Sequence, residues 1–285
     1  MSIEELARRQ NPDGGWPYQC GRSWTEPTVY SILAMTAAGE TARAEKGLEW
    51  LRSMQHSDGG WPPQAAVEES TWVTALAALV PEETLGAERH ARAIRWLGEI
   101  SGRETSVTHR LRERMLGVKA PPEQEHAGWP WIPGAAAWVG PTALAILALE
   151  KEQRKRARPH LEERIREGRE FLIARMCREG GWNHGSVRAL GYESAPYPET
   201  TGMALAALGG VKGAEVERAL RVARRFLEEC RSADALNWLR LGLRAHAHLP
   251  ENYRAPEGIR YRTSTEISLN VLASRADYSR SVLWS

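Results

Sequence analysis

The residues of this sequence best suited to acid chemistry are glutamates placed just ahead of a threonine and a long apolar run. They are Glu26 in EPTVYSILAM, Glu69 in ESTWVTALAAL and Glu199 in ETTGMALAAL. A carboxylate near a helix N-terminus meets the positive end of the helix dipole, so capping is one reading of the pattern. Carboxylates that converge on a cavity instead raise one another's pKa, and a carboxyl that keeps its proton is a general acid. Capping requires only that each carboxylate stand at the start of a helix, whereas the second reading also requires a fold that brings these helix starts together.

The same kind of helix start recurs along the chain. Each copy has a threonine at its third position and is then almost uncharged; the threonines are Thr28, Thr71, Thr142, Thr201 and Thr265. A helix that is apolar nearly all round is buried on most of its sides. The copies therefore predict buried helices with these threonines near their N-termini. A less regular buried helix is predicted from Ala235.

Amphipathic helices alternate with the buried ones. The clearest cover residues 42–55, 161–176 and 215–230, where apolar residues recur at helical spacing. Most of the turns of the type GGW or AGW follow such a helix, and they contain Trp16, Trp61, Trp129 and Trp182. This alternation predicts two concentric layers, with the buried helices inside and the amphipathic helices outside. Closing the layers into a ring removes the ends that an open solenoid must cap. The sequence predicts an all-α fold, a single α/α toroid of five to six helix pairs.

We expect one domain over residues 1–285, interrupted by a Pro/Trp-rich insertion at about residues 103–138 with an extra helix from His109. The net charge of +2 lacks the basic excess of a nucleic-acid-binding protein. Three widely spaced cysteines indicate neither a disulfide framework nor a zinc site. The sequence shows no secretory h-region and no membrane-spanning run, so we expect a cytoplasmic protein and leave peripheral membrane contact open.

The helices and turns together resemble the QW-type repeat of squalene–hopene cyclases, oxidosqualene cyclases, class II diterpene cyclases and protein prenyltransferase β subunits. The best copies are QHSDGGW, from Gln55 to Trp61, and QNPDGGW, from Gln10 to Trp16. The resemblance spans roughly residues 10–274. It implies a toroid in which the glutamine and tryptophan tie each outer helix to the next turn, and it is more specific for fold than for activity.

The resemblance also implies where an acid would stand. Class II cyclases carry a D-x-D-D motif before the threonine of one buried helix, and its middle aspartate protonates an alkene. The equivalent column here holds Glu26, Glu69, Gly140, Glu199 and Thr263, and D-x-D-D is absent from the sequence. Glu199 is then the first candidate for the acid and Glu26 the second. The Asp, Cys and His zinc ligands of the prenyltransferases have no counterpart, so we expect no metal and no cofactor.

Loops between the repeats carry the candidates for substrate binding. They are Trp24, His126, Trp131, Trp138, His184, Tyr192 and Tyr197. Loops that a rigid scaffold positions commonly hold binding residues. Packing within the loop or a surface hydrogen bond would account equally for each of them taken singly.

These features leave three functions open. The first is a single-domain, terpenoid cyclase-like protein that binds or cyclises a small apolar isoprenoid after protonation by a glutamate. The second is a toroid without catalysis that binds an isoprenoid or a partner protein, because D-x-D-D is missing. The third is a carbohydrate-active toroid, in which aromatic side chains stack on sugars and paired carboxyls cleave glycosidic bonds.

Overall fold

The structure is a computed structural model that describes residues 3–105, 111, 115–116, 126–185, 188–189, 192–275 and 282–284. The helices with both ends in those ranges are α1 (Ile3–Arg8), α2 (Thr25–Ala38), α3 (Thr41–Ser53), α4 (Val73–Ala77), α5 (Glu82–Leu85), α6 (Ala87–Glu99), α7 (Val139–Lys155), α8 (Pro159–Ala174), α9 (Pro198–Ala207), α10 (Ala214–Glu229), α11 (Ala233–Ala245) and α12 (Ser264–Ser274). A 3-10 turn covers Arg103–Thr105, and the strands β1 (Arg188–Ala189) and β2 (Tyr192–Glu193) form a short antiparallel hairpin. Within these ranges, no helix is both long enough and apolar enough to cross a membrane.

Six of the helices form a closed inner ring. In ring order they are α2, α4, α7, α9, α11 and α12, and α12 packs back against α2. The buried hydroxyl oxygens of Ser31 and Ser268 lie 3.2 Å apart where the ring closes. In α2, every residue from Thr25 to Met35 is buried except Glu26. The buried character predicted for the inner helices follows from contact on both sides within the ring and with the outer layer.

Outside the ring lie the short α5 and five further helices, α1, α3, α6, α8 and α10, each of which precedes an inner helix along the chain. The helix α10 has buried residues at helical spacing, among them Val216, Leu220 and Leu227, and exposed charges between them. The inner helix α12 instead follows the irregular segment 246–263. The described residues thus make five helix pairs and one further inner helix, which confirms the all-α toroid. The extra helix predicted from His109 lies almost entirely outside the described residues.

The turn tryptophans fasten the outer helices to the inner layer. All four are buried, and each indole Nε1–H donates to a leucine carbonyl in the preceding outer helix. The pairs are Trp16 with Leu6 (2.9 Å), Trp61 with Leu51 (2.7 Å), Trp129 with Leu97 (2.9 Å) and Trp182 with Leu172 (2.6 Å). The amide nitrogen of Gln55 also donates to the carbonyls of Gly59 and Arg89, both at 2.9 Å. The sequence prediction that these residues anchor the repeat junctions agrees with these hydrogen bonds.

In four of the six inner helices, α2, α4, α7 and α9, a threonine near the helix start accepts a hydrogen bond from the backbone N–H of the turn tryptophan. The accepting hydroxyls belong to Thr28, Thr74, Thr142 and Thr201, at 2.8 to 3.0 Å. In the second repeat the acceptor is therefore Thr74, so the alignment of Thr71 with Thr28, Thr142 and Thr201 is wrong by this hydrogen bond, although Thr71 does lie just before α4. The backbone N–H of Thr71 donates to the Trp61 carbonyl at 2.9 Å. In the other repeats, the residue that immediately precedes the inner helix donates the corresponding hydrogen bond to the carbonyl of the turn tryptophan. The position two residues before the accepting threonine, which is Glu26 in the first repeat and Glu199 in α9, is thus occupied in this repeat by Trp72. We call this position the acid column.

Two glycines allow α9 and α11 to approach closely. A Cβ on Gly202 would lie 2.4 Å from the carbonyl carbon of Trp238, and a Cβ on Gly242 would lie 2.5 Å from the carbonyl oxygen of Gly202. Only glycine fits at such a contact between two backbones. The contact brings the first turns of α9 and α11 side by side, and with them the carboxyl groups that these turns carry.

Candidate active site

Three carboxyl groups meet where the inner helices begin. Glu26, Glu199 and Asp234 are each the second residue of their helix, in α2, α9 and α11 respectively. All three are partly buried. The charge of Glu199 acts on both Glu26 and Asp234, so the three groups share one electrostatic environment. We call this set the acid cluster.

Glu26 is held by a phenol. The Tyr18 hydroxyl donates a short hydrogen bond to Glu26 Oε2. Burial raises the pKa of Glu26 to about 7; the Tyr18 hydrogen bond opposes this rise and the charge of Glu199 adds to it. Burial and the charge of Glu26 raise the pKa of Tyr18 in turn, so the phenol keeps its proton. Near neutral pH Glu26 therefore exchanges a proton with its surroundings while Tyr18 fixes its orientation.

Asp234 holds its proton more firmly than Glu26. Burial raises the pKa of Asp234 to about 8, and the charges of Glu199, Glu26 and Glu266 add to the rise. An acid with a pKa near 8 is roughly nine-tenths protonated at pH 7. Asp234 was absent from the sequence prediction because α11 lacks the repeat threonine. A usable signal was present, since Ser232 caps α11 and Asp234 follows it by two residues.

Glu199 is the member of the acid cluster that lies beside a group of aromatic rings. Burial raises the pKa of Glu199, while the nearby His184 lowers it. The exposed His184 ring lies 5.4 Å from the Tyr197 ring and 6.3 Å from the Trp138 ring, between centroids. Trp138 and Tyr197 are the residues that immediately precede α7 and α9. The structure thus gathers three of the predicted binding residues beside the predicted first acid.

Two more predicted binding residues lie near the starts of other inner helices. The Trp131 ring packs edge-on against Trp72 with 4.8 Å between centroids, next to Gly140 at the start of α7. Trp24 immediately precedes α2, and its ring lies 5.6 Å from the Tyr18 ring. The helix starts of the ring therefore present aromatic side chains at α4 and α7 and carboxyl groups at α2, α9 and α11.

The remaining predicted residues stand apart from this arrangement. Glu69 is exposed in the segment before α4, because the repeat is registered on Thr74 and the acid column there holds Trp72. The Nδ1 atom of His126 lies 3.2 Å from Glu170 Oε2, so His126 pairs with the outer helix α8. Tyr192 is 79 % exposed on β2. The convergence predicted from the sequence thus includes Glu26 and Glu199 and leaves out Glu69.

A buried tyrosine lies beneath the acid cluster. Tyr30 is 2 % exposed, and its ring meets Trp238 edge-on at 6.4 Å. Burial raises its pKa well above the ordinary value, and Glu26 and Asp234 contribute to the rise. No three His, Cys, Asp or Glu side chains in the described part of the chain are grouped so as to hold a metal ion. Carboxyl groups and aromatic rings are the side chains that the described residues bring together here.

Comparison with known proteins identifies the fold. No family model matches the sequence, and no curated protein sequence matches it. An endo-β-1,4-glucanase, CMCax from Acetobacter xylinum, matches with a TM-score of 0.57 and 14 % identity, over 98 % of this chain and 100 % of its own. A GH8 endo-β-1,4-glucanase from an Achatina fulica gut metagenome matches with 0.59 and 12 %, over 96 % and 97 % of the two chains. The type II terpene cyclase MstE from Scytonema matches with 0.54 and 16 %, over 94 % and 76 %. At these identities the likeness establishes the α/α toroid, a fold that serves both terpene cyclisation and glucan hydrolysis.

Proposed function

We propose that this protein is a terpenoid cyclase-like toroid whose acid cluster protonates an isoprenoid bound at the helix starts of the inner ring. The observation that carries the proposal is the meeting of Glu26, Glu199 and Asp234 at the starts of three inner helices, where burial raises the pKa of Asp234 to about 8. A general acid works best when its pKa lies near the working pH. The turn repeat, which resembles that of the isoprenoid enzymes, favours this chemistry over the others known on toroids.

In the proposed proton transfer, Asp234 is the acid, because burial raises its pKa and it holds a proton near neutral pH. Asp234 donates a proton to the terminal double bond or epoxide oxygen of the isoprenoid, which leaves a carbocation that the next double bond attacks. Faces of aromatic rings stabilise such cations, and we assign this role to Trp72, Trp131 and Trp138 at the starts of α4 and α7. Glu199, beside His184, is suited to accept the proton that the final cation loses.

Glycoside hydrolysis is the second candidate, because the acid cluster brings together three carboxyl groups whose pKa values burial raises. A protonated acid and an ionised carboxylate are the pair that cleaves a glycosidic bond. Two of the neighbours, which match over nearly their full lengths, are glucanases. In this alternative, Asp234 protonates the leaving oxygen and Glu199 acts as base or nucleophile.

The experiment that tests the proposal offers both substrate classes to the same protein. Linear isoprenoid alkenes and epoxides would be incubated with it, together with geranylgeranyl dihydroxybenzoate, the substrate named for the Scytonema cyclase. Parallel reactions would contain β-1,4-linked gluco-oligosaccharides. Products are measured by gas chromatography with mass spectrometry and by reducing-end assay. We expect cyclised products from wild type and their loss in Asp234→Asn.

The matched control is Glu215→Gln. Glu215 is also the second residue of its helix, but it is exposed on the outer helix α10 and should leave turnover unchanged. New reducing ends without cyclised products would establish the second candidate. Isoprenoid retained in native mass spectrometry without turnover would establish a binding protein. The proposal would be overturned if the protein neither bound an isoprenoid nor turned one over.

A further inference from the structure

A separate cavity opens at the opposite end of the inner ring. It has a volume of about 710 Å³ and lies where α9 and α11 end. Helix α9 has 10 residues, so at 1.5 Å per residue the cavity lies about 15 Å along the ring axis from Glu199. A volume of this order is typical of sites for small organic molecules. None of the acid-cluster residues lines it.

Among the described residues that line the cavity, basic side chains outnumber acidic ones. They are Arg154 at the end of α7, Lys212 in the turn after α9 and Arg244 at the end of α11, and the described lining contains one carboxylate, Glu217. Arg244 Nη1 also donates to the Ala273 carbonyl at 2.7 Å. Arg154 Nη2 also contacts Glu150 Oε2 at 3.2 Å, which balances part of its charge. Lys212 is exposed, and no hydrogen bond or ion pair joins it to another described side chain. The cavity is therefore suited to a ligand with one or two negative charges.

The rest of the lining is apolar or can respond to an anion. Leu220 and Trp284 contribute apolar surface, and the Trp284 indole is fixed by donating to the Ala206 carbonyl at 3.0 Å. His246 Nε2 lies 3.0 Å from the Leu205 carbonyl oxygen. Because a carbonyl only accepts, this nitrogen carries the hydrogen, and Nδ1 remains to receive a proton when an anion binds.

Interaction with helix dipoles does not account for the whole arrangement. Cations near helix C-termini are favourable, which explains Arg154 and Arg244 in the last turns of α7 and α11. Lys212 lies beyond the end of α9, after Gly210, whose φ of 79° turns the chain away from the helix. Its placement at the rim of a cavity with a hydrophobic wall points to a bound molecule with a charged end and an apolar end.

We propose that this cavity binds an organic phosphate, with the phosphate at Lys212, Arg244 and Arg154 and the apolar part against Leu220 and Trp284. A phosphate monoester carries about −1.5 to −2 charges at neutral pH, which matches the charge excess of the walls. Lysine and arginine are the side chains that bind phosphate oxygens most strongly. The proposal does not depend on the chemistry assigned to the acid cluster.

Calorimetric titration of the full chain tests the site with three probes: n-hexyl phosphate, inorganic phosphate and n-hexanol. We expect n-hexyl phosphate to bind more tightly than either of the others, since only it satisfies both walls. Lys212→Gln should weaken its binding about tenfold, the value of one charge-assisted hydrogen bond. The control Lys46→Gln removes an equally exposed lysine from the outer helix α3 and should change nothing.

Other outcomes are equally decisive. Binding that Asp234→Asn abolishes and Lys212→Gln leaves intact would place the ligand at the acid cluster and overturn the proposal. Equal affinity for n-hexyl phosphate and inorganic phosphate would show that the apolar wall takes no part, and would also overturn it. The same holds if no probe binds at millimolar concentration.

Discussion

Replacing Asp234 by asparagine should make the protein more stable at neutral and alkaline pH. The pKa of this carboxyl rises from an ordinary 3.8 to about 8, a difference of about 4 units. Each unit corresponds to about 1.4 kcal/mol between the two protonation states. The raised pKa therefore lowers the free energy of unfolding by about 4 kcal/mol at pH 7, where the folded protein holds the proton, and by about 6 kcal/mol well above pH 8, where Asp234 is ionised.

The sign follows from proton binding. Between pH 4 and pH 8 the folded protein keeps the Asp234 proton and the unfolded chain has lost it, so stability falls as pH rises. Below about pH 4 both states are protonated and the cost disappears. Asparagine has the same shape and no proton to lose. The stabilisation by Asp234→Asn should thus be near zero at acid pH and grow to its full value at alkaline pH.

Urea unfolding followed by circular dichroism at about pH 5, 7 and 9 measures this difference. Glu215→Gln is the control, because its exposed carboxyl on α10 should leave the pH dependence of wild type unchanged. If Asp234→Asn and wild type lose stability in parallel between these pH values, Asp234 ionises at its ordinary pKa. That result would also remove the basis for assigning it as the general acid.

Two further substitutions test the fold. Thr74→Val removes the acceptor of the buried Trp61 N–H at 2.9 Å and should cost about 1–3 kcal/mol in thermal unfolding, whereas Thr71→Val removes a hydroxyl without a partner and should change stability by less than about 0.5 kcal/mol. Equal losses would contradict the register assigned to this repeat. Gly202→Ala should cost at least about 1–3 kcal/mol, because the added Cβ would lie 2.4 Å from the α11 backbone. Gly98→Ala, whose Cβ would meet only Leu161 at 3.6 Å, should be neutral or stabilising, and a similar loss at both glycines would refute the close-packing argument.

The candidate site was accessible from the sequence only in part. Glu26 and Glu199 were found because each stands at a fixed distance from the repeat threonine, and a shared position on neighbouring helices places side chains together. Glu69 failed the same reasoning because its segment has two threonines three residues apart, and hydrogen bonding to Trp61 selects the second. Asp234 was missed because nothing near it repeats. Its membership depends on the close packing of α11 against α9.

The sequence by itself determined the two layers and their junctions. Helical periodicity and the glycine–tryptophan turns are local properties, so alternation of buried and amphipathic helices, and the anchoring by Trp16, Trp61, Trp129 and Trp182, could be predicted without coordinates. Only the tertiary structure decided which carboxyl groups share a site and which of them keep a proton. A pKa depends on burial and on charges from helices distant in sequence, and those distances exist only once the ring has closed.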